Sequence, residues 1–80
     1  MLSLAPNPAT TSVTVNYNLE NVQSATLLVV SSMGVTQQTV ALNVANNSST
    51  LQLTSLPAGN YTLVLVCDGT LCDAKSLQKL

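Results

Sequence analysis

The sequence predicts an all-β fold: an immunoglobulin-like, seven-stranded antiparallel β-sandwich, one domain over residues 1–80. Three observations carry that expectation. Apolar residues alternate with period two along most of the chain, the pattern of strands with one buried face. Turn residues recur about every ten positions, the spacing of short strands in a sandwich. No stretch has the 3.6-residue period of a conventional helix.

The first element is a stiff, extended lead-in. "LAPNPAT", residues 4 to 10, holds two of the three prolines, Pro6 and Pro8, around Asn7. Each proline fixes its own φ, lacks an N–H and pushes the preceding residue into extended geometry. Such a segment cannot pair as a central strand. "TSVTVNYNL" then alternates, with Val13, Val15, Tyr17 and Leu19 on one face. "SATLLVVS" is continuously apolar, as expected of a central strand, and "SSMG" turns the chain at Gly34. "VTQQTVALNV" restarts the alternation with Val40, Leu42 and Val44 in phase, and "ANNSS" reads as a polar loop. "TLQL" puts Leu51 and Leu53 on one face, and "YTLVLVC" is a second strongly apolar strand. "CDGTLC" turns through Asp68 and Gly69, and "DAKSLQKL" forms the last strand.

"LTSLPAGNYTL" sharpens the picture. Tyr61 stands at the start of the sixth strand, after the Pro57-Ala58-Gly59 bend and Leu56. That spacing fits a tyrosine corner, whose hydroxyl bonds back to upstream backbone. A plain core aromatic is the simpler reading, and either role is architectural.

Composition narrows the function. The chain has no His, no Arg and two Lys, with a net charge of −1. The absence of His removes His-based acid–base catalysis and His metal ligands, and nucleic acid requires clustered Lys and Arg. Glu20, Asp68 and Asp73 are too scattered for a carboxylate dyad. The inventory therefore points to a non-enzyme with no cofactor, no metal and no nucleic-acid partner. Charged residues make up 6% of the chain, against about a quarter in ordinary soluble domains. Asp68, Asp73, Lys75 and Lys79 crowd the last strand region, leaving Glu20 as the one charge before it. A surface made of Asn, Gln, Ser and Thr suits a cell exterior or an interface. The start, Met-Leu-Ser-Leu-Ala-Pro, lacks the basic and apolar regions of a secretory signal, so the sequence reads as part of a longer protein.

Cys67 and Cys72 are the two thiols. Alone they cannot hold zinc, which takes four ligands, and their spacing is not that of a C-x-x-C oxidoreductase. A four-residue loop would set them opposite each other, and a two-residue Asp-Gly turn would make them diagonal neighbours on one face. Both geometries allow a cross-hairpin disulfide, and two small unbridged thiols are the alternative. Matches to the N-glycosylation pattern at Asn46, Asn47 and Asn60 are expected by chance in so Asn- and Ser-rich a chain. Lys75 and Lys79 fall on one face of the final strand, near Leu77 and Leu80, a common device for keeping an edge strand soluble. "YTLVLV" is apolar on both faces, Tyr61, Leu63 and Leu65 on one and Val64 and Val66 on the other. One strand of a two-layer sandwich can bury only one of them. The other face, extended by Leu77, is expected to drive a homodimer or larger species at high concentration.

Taken in order, these pieces resemble one family. "PNPA" near the start (Pro6, Asn7, Pro8), "SMG" (Gly34), "LPAGNY" (Leu56, Gly59, Tyr61), "DG" (Asp68, Gly69) and "KSLQKL" (Lys75, Lys79, Leu80) are similar to the C-terminal sorting domain, type A, of the type IX secretion system. Cys67 and Cys72 fall outside that family's motifs. The resemblance implies a seven-stranded immunoglobulin-like export tag of a larger cargo protein. Its partners would be the type IX secretion machinery, an outer-membrane shuttle and a surface sortase. The tag would pass through the periplasm, and its cargo would end on the cell surface, joined to lipopolysaccharide, or be secreted. The competing expectation is a fibronectin-type-III-like or immunoglobulin-like adhesin or spacer module, which a tyrosine corner fits equally well.

Overall fold

A computed structural model describes residues 2–5 and 10–80. Pro6, Asn7 and Pro8 lie outside the described residues. Among the described residues the strands run β1 (Leu2–Ala5), β2 (Ser12–Tyr17), β3 (Ala25–Ser31), β4 (Thr36–Leu42), β5 (Ser48–Gln52), β6 (Gly59–Cys67) and β7 (Thr70–Lys79). They form a three-stranded sheet, β1-β2-β5, and a four-stranded sheet, β4-β3-β6-β7, with every pairing antiparallel. The two most apolar segments, β3 and β6, are the central pair of the larger sheet, as their composition requires.

Alternation dictates the core. Val13, Val15 and Tyr17 of β2 face Leu27 and Val29 of β3, and Leu63 and Leu65 of β6, in one buried cluster. Leu2, Leu51, Leu53, Leu56 and Leu77 complete it, and it contains no buried charged or polar residue. With no Phe or Trp available, Leu and Val supply nearly all of the apolar burial that drives folding. Leu19, Val40 and Val44 pack on its margin, the first and last from beyond the strand ends.

One boundary differs from the sequence expectation. Ser48 and Ser49, read as loop, belong to β5 and pair with Asn16 and Val15. Pairing with β2 overrides their low strand preference.

The register of β7 corrects a second expectation. Cys67 pairs with Thr70 across a two-residue turn whose central residues, Asp68 and Gly69, have φ of 50° and 80°. Positive φ at both positions is the type I′ geometry that matches strand twist, and Asp-Gly is a favoured sequence for it. Continued without interruption, that register would set Leu77 opposite Asn60, on the outward face. Instead the pairing shifts between Leu65 and Val66, which oppose Asp73 and Leu71 and leave Cys72 as the extra residue of a β-bulge. One inserted residue exchanges the two faces of everything beyond it. Leu77 therefore pairs with Tyr61 and is buried in the core, so it does not extend the outward patch.

The outward faces of the two sheets differ. On the three-stranded sheet, Ser3, Asn16 and Ser48 lie side by side, as do Thr14 and Thr50. On the four-stranded sheet, Leu28 neighbours Val64, Val64 neighbours Ala74, and Val66 neighbours Leu71. Leu28, Val30, Val64 and Val66 are half-buried within the sheet, and Leu71 is 66% exposed.

Candidate functional site: the β6–β7 hairpin

The corner before β6 is built from its own backbone. Leu56 N–H donates to Leu53 O at 3.0 Å, closing a turn whose Leu53 and Leu56 side chains plug the end of the sandwich. Gly59 has φ of +155°, a conformation that side-chain-bearing residues rarely adopt, and a Cβ there would meet nothing within 4 Å. Glycine is needed for the backbone, not for space. Two residues on, the Tyr61 hydroxyl donates to Pro57 O at 2.5 Å while its ring is buried. The tyrosine corner is present. A buried phenol satisfied in this way ties the corner to the core.

The register then gathers the sequence-derived positions. Gly59 pairs with Lys79, Tyr61 with Leu77, and Leu63 with Lys75. The bulge puts Asp73, Lys75, Leu77 and Lys79 on the side of β7 that faces the other sheet. Leu77 fills the core, while Lys75 is exposed. The expectation that both lysines share one face of an edge strand holds, and charges turned inward at an edge oppose pairing with a further strand. Lys79 Nζ donates to Leu80 O at 3.3 Å, and Leu80 is exposed. Beside this end of the hairpin runs an open groove of about 520 Å³, lined by Ser32, Asn60, Thr62, Ser76 and Gln78 among others. Neutral hydroxyls and amides share its lining with Tyr61 and Leu77, and no charged side chain borders it.

Two carboxylates hold the hairpin in place, and the sequence alone assigned them no such role. Asp68 accepts from Ser24 N–H at 2.9 Å and from Gln23 N–H at 3.1 Å, while its own N–H donates to Ser24 O at 2.9 Å. The turn is thereby fastened to the loop that enters β3. Asp73 accepts from Ala74 N–H at 2.8 Å and from Leu2 N–H at 3.0 Å. It links β7 to β1 across the open side of the sandwich. The Ala74 N–H, with smaller help from Leu2 and Lys75, holds the Asp73 carboxyl below the usual carboxylate range. Both roles depend on contacts across more than forty positions, which no local pattern announces.

Cys67 and Cys72 are both free thiols, Cys67 buried and Cys72 exposed. Burial, followed by the influence of the nearby Cys72, pushes the Cys67 thiol up to about 11. The turn between them is the two-residue Asp68-Gly69 alternative, modified by the bulge.

No curated protein matches the chain. A family model described as a secretion system C-terminal sorting domain matches residues 3–77, from the second residue of β1 to the buried leucine of β7. The match spans both sheets, the tyrosine corner and the bulged hairpin, and so covers the whole fold rather than one motif. The chain belongs to the C-terminal sorting domains of type IX secretion, signals that engage the secretion machinery and take proteins across the outer membrane to the cell surface or beyond.

Proposed function

We propose that residues 1–80 are a single, non-catalytic sorting domain of a larger exported cargo, recognised in the periplasm and passed to an outer-membrane shuttle. A surface sortase then cuts upstream of the sandwich and joins the cargo to lipopolysaccharide. In this reading the domain is the object handled by that chemistry. The segment that is cut lies upstream of β1, whose Leu2 is already in the core, and Pro6, Asn7 and Pro8 are counted among the positions that are recognised. Gly59, Tyr61, Lys75, Lys79 and Leu80 form the recognition end.

The observation that carries the proposal is the register of the β6–β7 hairpin. Gly59 opposite Lys79, Tyr61 opposite Leu77 and Leu63 opposite Lys75 bring positions twelve to twenty residues apart in sequence onto one ladder. The strand order also supports an immunoglobulin-like sandwich, with the fourth strand paired to the third instead of joining the three-stranded sheet as in the constant-type arrangement. The apolar outward face of β3 and β6 supports both a carrier contact and the expected homodimer.

A periplasmically targeted reporter fused to residues 1–80 tests the reading. In a host with the secretion system, the fusion should reach the surface. Deleting residues 75–80 should trap it in the periplasm, because the deletion removes both lysines and the buried Leu77. The Lys75→Ala/Lys79→Ala double variant should keep its fold, since surface changes of this kind cost no more than about 0.5 kcal/mol each, and should export poorly. A wild-type fusion that stays in the periplasm of a competent host would refute the proposal in favour of an adhesin or spacer module.

A further inference from the structure

The motifs of the sorting family leave Cys67 and Cys72 unused, yet these two residues flank the turn and the bulge that set the register of β7. Cys67 ends β6 with its side chain in the core, and Cys72 is the extra residue of the bulge. Cys67 pairs with Thr70, and the bulge sets Cys72 two positions farther along β7, near enough to act on the Cys67 thiol. The hairpin around them is held independently, by Asp68 on the Gln23 and Ser24 amides and by Asp73 on Leu2. A bond between them would span the turn and the bulge together.

We propose that Cys67 and Cys72 are an oxidation site, closing to an intramolecular disulfide that locks the bulge and so fixes which face Lys75, Leu77 and Lys79 take. The oxidant is a disulfide of a small thiol or of a thiol-oxidising protein. Cys72, exposed, attacks one sulfur of that disulfide and expels the first thiolate, leaving a mixed disulfide on Cys72. The Cys67 thiolate then attacks Cys72 Sγ and expels the second. Two S–H bonds are lost and one S–S bond forms, and the two electrons and two protons leave with the donor as two thiols. Burial makes the Cys67 thiolate scarce at neutral pH, so the second step limits the rate and accelerates with rising pH.

The enclosed loop is only four residues, so constraint of the unfolded chain contributes little. The consequence lies in register: slipping β7 by one residue would expose Leu77 and move both lysines to the opposite face. That the bond forms during transit rests on the sorting reading, since the periplasm is oxidising and the cytosol is not. The chemistry itself does not.

The test uses the purified 80-residue chain in buffers of oxidised and reduced glutathione. Closure should lower the mass by two hydrogen atoms, remove both thiols from alkylation and leave the chain monomeric on a non-reducing gel. Amide exchange across Asp73 to Leu77 should be slower in the oxidised chain than in the reduced one. Cys72→Ser, which alters an exposed thiol, should fold, keep Cys67 unbridged and lose that difference. A lasting glutathione adduct on Cys72, or disulfide-linked dimers, would overturn the site, and equal exchange in both redox states would overturn the register lock. A chain that closes its disulfide in the tube but is not exported would count against the sorting reading alone.

Discussion

The two outward faces of this sandwich carry almost no charge, yet they are opposite in kind. The face of β1-β2-β5 is covered with Ser, Thr, Asn and Gln, whereas that of β3-β6-β7 presents Leu28, Val30, Val64, Val66, Leu71 and Ala74. A polar uncharged surface is kept in solution by its hydrogen bonds to water. The apolar face is where the expected self-association would take place. The difference teaches that β6 is apolar on both sides for two separate reasons. Its inner residues build the core, and its outer residues line the apolar face on which the proposed contacts rest.

The sharpest way to separate those reasons uses neighbours on one strand. Leu65 is fully buried and Val64 points outward, half-buried. Leu65→Ala should cost about 2–5 kcal/mol by loss of burial and by the cavity left behind. Val64→Ala should cost well under half of that, and denaturant titration of the two variants compares them directly. Equal losses would mean that the outer face is as tightly packed as the core.

A second comparison sets the buried Cys67 thiol against the same site without it. In the reduced protein its pKa stands at about 11, above the ordinary 9.0. Between those values the unfolded chain has lost a proton that the folded chain keeps, so stability falls as pH rises. Below about pH 9 the thiol is protonated in both states, and this contribution is fully present. Melting curves under reductant should therefore show the wild type losing Tm relative to Cys67→Val from pH 9 to 11. Every other group is common to both proteins and cancels in the difference. A constant difference across that range would mean that the thiol is not shielded from water.

The smallest stability effect tests the outer faces themselves. Leu71→Glu and Ala74→Glu alter exposed positions and should each change stability by no more than about 0.5 kcal/mol. They should nevertheless abolish concentration-dependent association in light scattering, whereas Thr14→Glu and Thr50→Glu on the polar face should leave it unchanged. A wild-type chain that scatters as a monomer at millimolar concentration would remove self-association from the apolar face.

Period-two alternation made most of the fold legible, because a strand with one buried face must write that face into its sequence. Val13, Val15, Tyr17, Leu51, Leu53, Leu63 and Leu65 all take the predicted side. The tyrosine corner was legible too, since its glycine, proline and tyrosine are close in sequence. The bulge was not. An extra residue at Cys72 leaves no compositional trace, yet it decides the facing of the whole second half of β7 and explains why Leu77 is inside. The clamps made by Asp68 and Asp73 were equally hidden, because Asp68 meets its amides only when β6 pairs with β3, and Asp73 meets Leu2 only when the two sheets come together.

The position of Leu77 also orders the domain in time. β6 lies between β3 and β7, and the buried leucine that closes the core comes from the strand farthest along the chain. Whether the polypeptide emerges from a ribosome or from a membrane pore, the sandwich stays open until β7 has appeared. Everything upstream is free to begin folding first. A chain cut short before residue 77 lacks its last core residue and its final edge, and presents an unfinished sheet in place of a tag. The fold thus reports that the preceding polypeptide has been delivered through β7.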